Sequence, residues 1–341
     1  MSRSLLKLLA CPSCGNSELE YIVSDESVDN VSSQLADVAL LICSSCDQWY
    51  PIENRIVCLL PDRLRVRSAD EAFIDKHGAF FGVSLCKNLS AVNATRSYSS
   101  DASEFFSYFD VPIRLAKDRT KNKNHQLKFE EILRGIGAIE NRICLELACG
   151  NGTHASSLLE VYPDASYVGV DIAPMRLRET RQRLGDYRNI LLVQATLDVL
   201  PFRDNTFSAV YMVSALQYLE DPEIGLNEAR RVLADDGSFV SLDYNPQCYA
   251  SALGLIQKKQ EYDTQLDQCL YEKMSKENLG KWMSGSGFSD IKIRNLLFLP
   301  GNLPLPVVVY RIINGILERI PFIKHFSIML ASYSRKRGCG N

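Results

Sequence analysis

The stretch ICLELACGNGTHA, residues 143–155, decides the fold of this chain. Its first five residues place apolar or β-prone types around Glu146, which is typical of a buried strand. Gly150 and Gly152 follow at once, and a glycine cluster directly after a strand marks a turn where the backbone approaches a ligand closely. The sequence therefore predicts a strand, a bare turn and a helix that begins near Thr153.

Two further segments extend this pattern. THASSLLEVYP, residues 153–163, has the apolar spacing of an amphipathic helix, and SYVGVDIAP, residues 166–174, is β-rich up to Asp171. Asp171 lies 19 residues after Gly152, close to the offset of about 20 at which a strand-end carboxylate reaches a ribose hydroxyl in dinucleotide-type folds. The continued alternation of strands and helices predicts an α/β fold with a doubly wound parallel sheet.

The negative charge of Glu146 favours a cationic ligand at the turn over a pyrophosphate. Spacing alone leaves a nicotinamide enzyme open, because Ala155 occupies the third position of the GxGxxG pattern, where alanine is also tolerated. A carboxylate four residues before Gly150 would repel a pyrophosphate, whereas it would suit a ligand with a cationic amino group and a sulfonium. The charge therefore favours the cationic ligand.

Composition excludes several classes of protein. The chain has 341 residues, 46% hydrophobic and 23% charged, so disordered and fibrous classes are excluded. Residues 1–68 hold 6 basic and 9 acidic side chains, and no large basic face indicates a nucleic-acid partner. The start MSRSLLKLLAC lacks the pattern of a signal peptide, and no apolar run reaches the ~20 residues of a membrane span, so we expect a reducing, cytoplasmic compartment.

Four cysteines near the start of the chain form two CxxC pairs. Cys11 and Cys14 lie in CPSC, Cys43 and Cys46 lie in CSSC, and 28 residues separate the pairs. Two such pairs can supply four thiolates to one tetrahedral zinc ion. The alternatives are two redox pairs or buried free thiols, but a redox CxxC normally opens a helix in a βαβ unit, and neither pair does so here.

The sequence around these cysteines has a pattern of its own. The string LLKLLACPSCGNSELEY, followed by LLICSSCDQWYPIENRIVCLLPD, resembles the zinc-ribbon family typified by the small activator subunit of tRNA and protein methyltransferases, over about residues 4–62. This resemblance implies a zinc-ribbon domain at residues 1–68. So small a unit buries little apolar surface, so the zinc would mainly supply folding energy, and a role in substrate recognition stays open.

The remaining motifs occur in a fixed order: LELACGNG, GVDIAP, QATLDVLPFRDNTFSAVYMVSALQYLEDP and LNEARRVLADDGSFVSLDYNP. Together they resemble the class I S-adenosylmethionine-dependent methyltransferases of the type 11 group, over about residues 125–337. The resemblance implies a Rossmann-like methyltransferase domain at residues 125–341, with S-adenosylmethionine as its cofactor.

The resemblance also implies a role for each matched residue. Glu146 would orient the methionine amino group, Ala148 replaces the first glycine of the family motif, and Gly150 and Gly152 would keep the loop bare. Thr196 stands where the family often has an aspartate, so we expect weaker adenine binding. The other implied contacts are Asp171 with the ribose hydroxyls, Ile172 with the adenine face, the backbone N–H of Leu197 with the adenine ring, and Val213 with the region of the transferable methyl group.

Two segments are less defined. Residues 69–124 are aromatic-rich and irregular, and the resemblance to the methyltransferases implies a lid or linker over the cofactor here, with Tyr98 as the candidate for the tyrosine that the family often places near the cofactor carboxylate. Residues 303–326 are an insertion whose apolar helix, about residues 305–320, has a polar stripe at Arg311, Asn314 and Glu318. Such a helix packs in the interior or in a homodimer, covers an apolar substrate pocket, or rests on a membrane surface.

Three functions remain open from the sequence. The first is methylation of a small, apolar or conjugated metabolite; the second is methylation of RNA with the ribbon as the substrate reader; the third is a non-catalytic scaffold in a methyltransferase complex. The acidic ribbon disfavours RNA. His154, Gln217 and Tyr218 could each act as a base, but packing or helix capping explains each as well, so no catalytic residue is assigned.

Overall fold

The structure is a computed structural model, and it describes residues 2–23, 34–100, 102, 122–140, 142–185, 187–246, 248, 274–301 and 303–337. Most of the predicted lid beyond residue 100, and residues 249–273, lie outside the described residues. Within the described part of the chain, no helix combines the length and apolarity that crossing a bilayer requires.

The amino-terminal ribbon is a four-stranded antiparallel meander. Its strands are β1 (Leu19–Val23), β2 (Val38–Cys43), β3 (Trp49–Glu53) and β4 (Ile56–Cys58), and a 3₁₀ helix, Arg3–Leu8, precedes them. Helices α1 (Arg67–Phe81) and α2 (Val83–Thr95) pack on one face of this meander. The contact joins Leu40 and Trp49 of the ribbon to Phe73 and Leu89 of the two helices.

The second unit is the doubly wound sheet. Five strands pair in parallel, and on one side an antiparallel strand, followed by an edge strand that pairs antiparallel with it, completes the sheet. Their bounds are β5 (Ile143–Leu147), β6 (Ser166–Asp171), β7 (Ile190–Gln194), β8 (Phe207–Val213), β9 (Leu233–Tyr244), β10 (Ser289–Leu296) and β11 (Met329–Arg335). The order β7-β6-β5-β8-β9-β11-β10 gives the Rossmann-like α/β fold that the sequence predicts.

Helices flank this sheet. They are α3 (Lys123–Ile136), α4 (Thr153–Val161), α5 (Pro174–Arg183), α6 (Pro222–Val232), α7 (Lys276–Gly285) and α8 (Val307–Arg319). The strands β5 to β8 are apolar along almost their whole length, because helices on both faces exclude water from them. The main core therefore lies along the middle of the sheet.

One continuous sheet joins the two units. β4 pairs in parallel with β7, with Ile56 opposite Leu192 and Cys58 opposite Gln194. The ladder continues past the end of β4, where the Leu59 N–H donates to the Gln194 carbonyl at 2.9 Å. The pairing covers the edge of β7 that would otherwise be an exposed strand edge. The ribbon is thus hydrogen-bonded directly to the doubly wound sheet.

Candidate cofactor site and cysteine cluster

The turn after β5 has the conformation that its glycines permit. Gly150 and Gly152 have φ of +55° and +71°, a region that L side chains rarely adopt. An added Cβ at Gly152 would lie 2.8 Å from Thr180 Cγ2, whereas one at Gly150 would meet nothing within 4 Å. Gly152 is therefore required by close packing against α5, while Gly150 leaves the outer side of the turn bare.

Asp171 fixes this turn from the neighbouring strand end. Its Oδ2 accepts a hydrogen bond from the Gly150 N–H at 2.7 Å, and its Oδ1 accepts one from the Ala173 N–H at 2.9 Å. The carboxyl group is buried, which raises its pKa, and the backbone donors partly offset that rise. Each oxygen has a second lone-pair site, so the carboxylate can hold the turn and still accept from a ligand.

Glu146 lies at the base of the same turn and is only 2% exposed. The hydroxyls of Tyr167 on β6 and Tyr211 on β8 both donate to its Oε2, at 2.6 and 2.9 Å. Burial raises the pKa of this carboxyl group to about 8, against the lowering effect of the two tyrosine hydrogen bonds. Among the described residues, no donor bonds Oε1. A cationic ligand beside Oε1 would favour the ionised carboxylate.

Sequence reasoning missed both tyrosines. β6 and β8 flank β5, and the register places Gly169 and Tyr211 directly opposite Glu146. The hydroxyl of Tyr167 lies 2.8 Å from where a Cβ on Gly169 would stand, so the glycine leaves room for that hydroxyl. The alternation in SYVGVD places Tyr167 and Gly169 on the same face of β6, but only the strand register shows that this face lies beside Glu146.

The predicted adenine contacts lie at the same edge of the sheet, beyond β7. Thr196 is buried, and its hydroxyl donates to Asp198 Oδ1 at 2.6 Å. Asp198 also forms an ion pair with Arg63 of the ribbon. The structure therefore supplies a carboxylate two residues after the position where the family has its aspartate, and ties that carboxylate to the ribbon.

The remaining predicted cofactor residues line the carboxyl ends of adjacent strands. Ile172, Leu197 and Val213 are half-buried, which leaves part of each side chain free to contact a ligand. The Ile172 carbonyl accepts from Gln194 Nε2 at 3.1 Å, so β6 and β7 are tied together where an adenine would lie. The structure thus brings the predicted residues of four strands to one edge; their ligand contacts stay predictions.

The four cysteines of the CxxC pairs converge on one point. Their Sγ atoms all lie within 4.8 Å of one another, with Cys11 3.6 Å from Cys46 and Cys14 3.5 Å from Cys43. Tetrahedral zinc with Zn–S bonds of about 2.3 Å requires Sγ–Sγ separations of about 3.8 Å. The cluster fits that requirement, and the Tyr50 hydroxyl, 3.1 Å from Cys11 Sγ, provides an outer hydrogen bond.

Comparison with known protein families matches residues 145–241 to the methyltransferase domain model and residues 2–54 to the Trm112p-like protein model. This chain carries a methyltransferase domain behind a Trm112p-like domain. The glycine turn lies inside the first match and the cysteine cluster inside the second. The methyltransferase domain is of the S-adenosylmethionine-dependent class, as the sequence motifs predict.

Curated relatives are methyltransferases too. A malonyl-[acyl-carrier protein] O-methyltransferase of Geobacter sulfurreducens is 38% identical over 101 residues, which cover 30% of this chain and 38% of that protein. A demethylmenaquinone methyltransferase of Staphylococcus aureus is 25% identical over 199 residues, which cover 52% of this chain and 82% of that protein.

Solved structures were matched at lower identity. A methyltransferase from Thermotoga maritima has a TM-score of 0.47 and 17% identity, covering 68% of this chain and 99% of that one. A complex of the Haloferax volcanii Trm112 methyltransferase activator with a methyltransferase has a TM-score of 0.46 and 16% identity, covering 64% of this chain and 92% of the matched chain.

The candidate bases of the methyltransferase domain differ in their surroundings. His154 stacks on His125 with ring centroids 4.6 Å apart, and burial lowers its pKa well below the usual range, so it is neutral. In the described part of the chain, His154 Nδ1 and Gln217 Oε1 are buried without a hydrogen-bond partner, whereas Tyr218 is exposed. These contacts assign none of the three to catalysis.

Two further residues have structural roles that the sequence did not indicate. The Tyr98 hydroxyl donates to Asp70 Oδ2 at 2.7 Å, in the layer between the Trm112p-like domain and its helices, and its proximity to the cofactor carboxylate stays a prediction. Asp243, at the end of β9, is fully buried, which raises its pKa to about 6, and its Oδ1 accepts from the Leu216 N–H at 3.4 Å. Asp243 therefore positions the loop that follows β8.

Proposed function

We propose that this chain transfers the methyl group of S-adenosylmethionine to a small, apolar acceptor. The observation that carries the proposal is the buried Glu146 carboxylate, set beside a bare glycine turn and Asp171 at one edge of the sheet. A buried carboxylate with an oxygen free of protein donors suits a ligand that brings its own cationic amino group.

The cofactor would lie across the ends of β5, β6 and β7. Glu146 would accept from the methionine amino group through Oε1, and Asp171 would accept from the ribose hydroxyls with the lone pairs that the backbone leaves unused. Ile172 and Leu197 would pack on the adenine, and Thr196 with Asp198 would face its amino group. Val213 would lie beside the reacting methyl group.

The methyl sulfonium supplies an activated methyl group when the cofactor is bound. The chain's own residues would align the acceptor with the methyl–sulfur bond and exclude water. The bound cofactor would supply the methyl group and leave as a neutral thioether, an acceptor lone pair would form the new bond to carbon, and any acceptor proton would pass to a base or to solvent. No specific base is required by this scheme.

A small acceptor is favoured over RNA by the charges of the Trm112p-like domain. Three of its arginines already pair with carboxylates: Arg55 with Asp37, Arg63 with Asp198 and the buried Arg65 with Asp70. Residues 1–68 are acidic overall, whereas an RNA-reading surface needs unpaired basic groups. The names of the two curated relatives above specify acceptors that are not nucleic acids.

We also propose that the cysteine cluster holds one zinc ion. The Sγ separations support this, and so does the small size of the ribbon meander. The zinc would fix the two turns that carry the cysteines, and thereby the strands that present β4 to β7.

The test supplies methyl-labelled S-adenosylmethionine to the purified chain with a fractionated cell extract. Label in the small-molecule or organic-soluble fraction is the expected result. Label confined to RNA would overturn the choice of acceptor, and cofactor binding without any transfer would favour the scaffold. Calorimetry tests the cofactor site separately: Asp171→Ala should lose most of the affinity, whereas Asp164→Ala, at an exposed loop carboxylate, should retain it.

A further inference from the structure

We propose that helix α8 and the turn after it form a docking surface for a lipid bilayer with anionic headgroups. The surface, named the apolar face below, consists of eight exposed large hydrophobic side chains: Val308, Val309, Ile312, Ile316, Ile320, Phe322, Ile323 and Phe326. Of the fourteen exposed large hydrophobic residues in the described part of the chain, these eight fall within 19 consecutive positions. Single exposed hydrophobic residues are ordinary, but a contiguous group of this kind marks an interaction site.

Helix α8 is oriented opposite to an ordinary surface helix. Tyr310 and Asn314, one turn apart, are buried against the methyltransferase domain. The Tyr310 hydroxyl donates to the Leu299 carbonyl at 2.5 Å, and Asn314 Oδ1 accepts from the Phe298 N–H at 2.6 Å. Polar side chains therefore anchor the helix, and Val308, Ile312 and Ile316, 61%, 56% and 52% exposed, point away from the chain.

Ion pairs fix the flanks of the helix in the same orientation. Arg311 pairs with Glu130 of α3, and Glu318 accepts from Arg294 of β10 at 2.7 and 2.9 Å. Of the predicted polar stripe, Asn314 is buried, and Arg311 and Glu318 pair with neighbouring elements of the methyltransferase domain while their side chains stay partly exposed. Turning the helix over to bury its apolar side would break both pairs, so the exposure of that side is a feature of the fold.

The charges around the apolar face fit an anionic lipid surface. Arg319 at the end of α8 is exposed and basic, whereas Arg311 is paired with Glu130 and the partly exposed Glu318 is paired with Arg294. Basic residues beside an apolar stripe are the pattern of interfacial helices, since each one near the surface adds attraction to anionic headgroups.

The length and the end of the helix also fit a bilayer surface. Thirteen residues make a helix of about 20 Å, which lies in the headgroup region and does not span the hydrocarbon core. Phe322 is 84% exposed in the turn that follows, with Ile323 and Phe326 beside it. These side chains would enter the acyl boundary while the helix lies flat on it.

The apolar face is near the edge of the sheet that carries the cofactor residues. Its helix is tied to the start of α3 through Tyr310 and Asn124, and the turn after it is tied to Asn245, one residue beyond β9, whose Nδ2 donates to the Ser327 carbonyl at 2.8 Å. Docking would therefore hold the candidate active site beside the bilayer, where an apolar acceptor would dissolve. The docking surface itself rests on the exposed residues and not on the proposed function.

The test is sedimentation of the full chain with vesicles of neutral phosphatidylcholine, alone or mixed with anionic phosphatidylglycerol. We expect binding to the mixed vesicles that weakens with added salt. The double variant Ile316→Ser with Phe322→Ser should lower the partition coefficient at least tenfold, because both side chains would leave the acyl boundary. The matched control, Phe80→Ser with Val83→Ser, changes two exposed hydrophobic residues elsewhere and should bind as the unaltered chain does.

Arg319→Glu separates charge from apolar contact. It should reduce binding to the anionic vesicles and leave binding to neutral vesicles unchanged.

Circular dichroism melting of each variant shows whether it is folded, and light scattering gives the oligomeric state. Absence of binding by the folded chain, or equal binding by the double variant, would refute the docking surface. A dimer that dissociates in the double variant, without vesicle binding, would assign the face to a second copy instead. Vesicle binding and oligomeric state are measured without methyl transfer, so these outcomes do not test the proposed function.

Discussion

Replacement of Glu146 by Gln tests the electrostatics of the candidate site most directly. Glu146 is 2% exposed, and burial raises the pKa of its carboxyl group to about 8 in the folded chain, from an ordinary value of 4.5. Between these two pH values the folded state binds a proton that the unfolded state releases. The stability of the chain should therefore fall as pH rises through this window, and Gln, which does not titrate, should remove that fall.

The size of the effect follows from the two pKa values. Between the two pKa values, each pH unit lowers the free energy of unfolding by about 1.4 kcal/mol. Between pH 5 and pH 7 the unaltered chain should lose about 2.5 kcal/mol of unfolding free energy relative to Glu146→Gln. The exposed Glu160, changed to Gln, is the matched control and should show no such pH dependence relative to the unaltered chain.

Urea unfolding at pH 5, 6, 7 and 8, monitored by tyrosine and tryptophan fluorescence, measures these differences in unfolding free energy. Added S-adenosylmethionine should reduce the pH dependence of the unaltered chain, since a cationic amino group beside Glu146 favours the ionised carboxylate. A difference between Glu146→Gln and the unaltered chain that stays constant from pH 5 to pH 8 would refute the reasoning. It would mean that the buried carboxylate is already ionised at pH 5.

Two further predictions concern the turn and the metal. Gly152→Ala should cost about 3 kcal/mol, because the new Cβ is both strained and 2.8 Å from Thr180 Cγ2, whereas Gly150→Ala, at a φ of +55° but in open space, should cost about 1 kcal/mol; equal melting temperatures for the two variants would contradict the packing argument. Metal analysis should find one zinc per chain, lost in Cys11→Ser and retained in Cys86→Ser, and a metal-free unaltered chain would contradict the cluster assignment.

The sequence by itself determined the local features of this protein. The strand, glycine turn and helix of residues 143–155 were predicted from adjacent residues and are present as β5, the turn and α4. The two CxxC pairs predicted a four-sulfur cluster, since each tight turn already points two sulfurs together, and the structure brings all four within 4.8 Å. Such features depend on residues close in the chain, so local spacing is sufficient to predict them.

Tertiary structure decided which distant residues meet. The pairing of Tyr167 and Tyr211 with Glu146 depends on the register of three strands, and no spacing in the chain encodes it. The joining of β4 to β7 is likewise a contact between strand edges more than 130 positions apart. The periodicity of α8 predicted a polar stripe, but the contacts of Asn314 decided that the stripe faces inward and the apolar residues face out. A pattern fixes which residues share a face, whereas the partners available in the folded chain fix what that face touches.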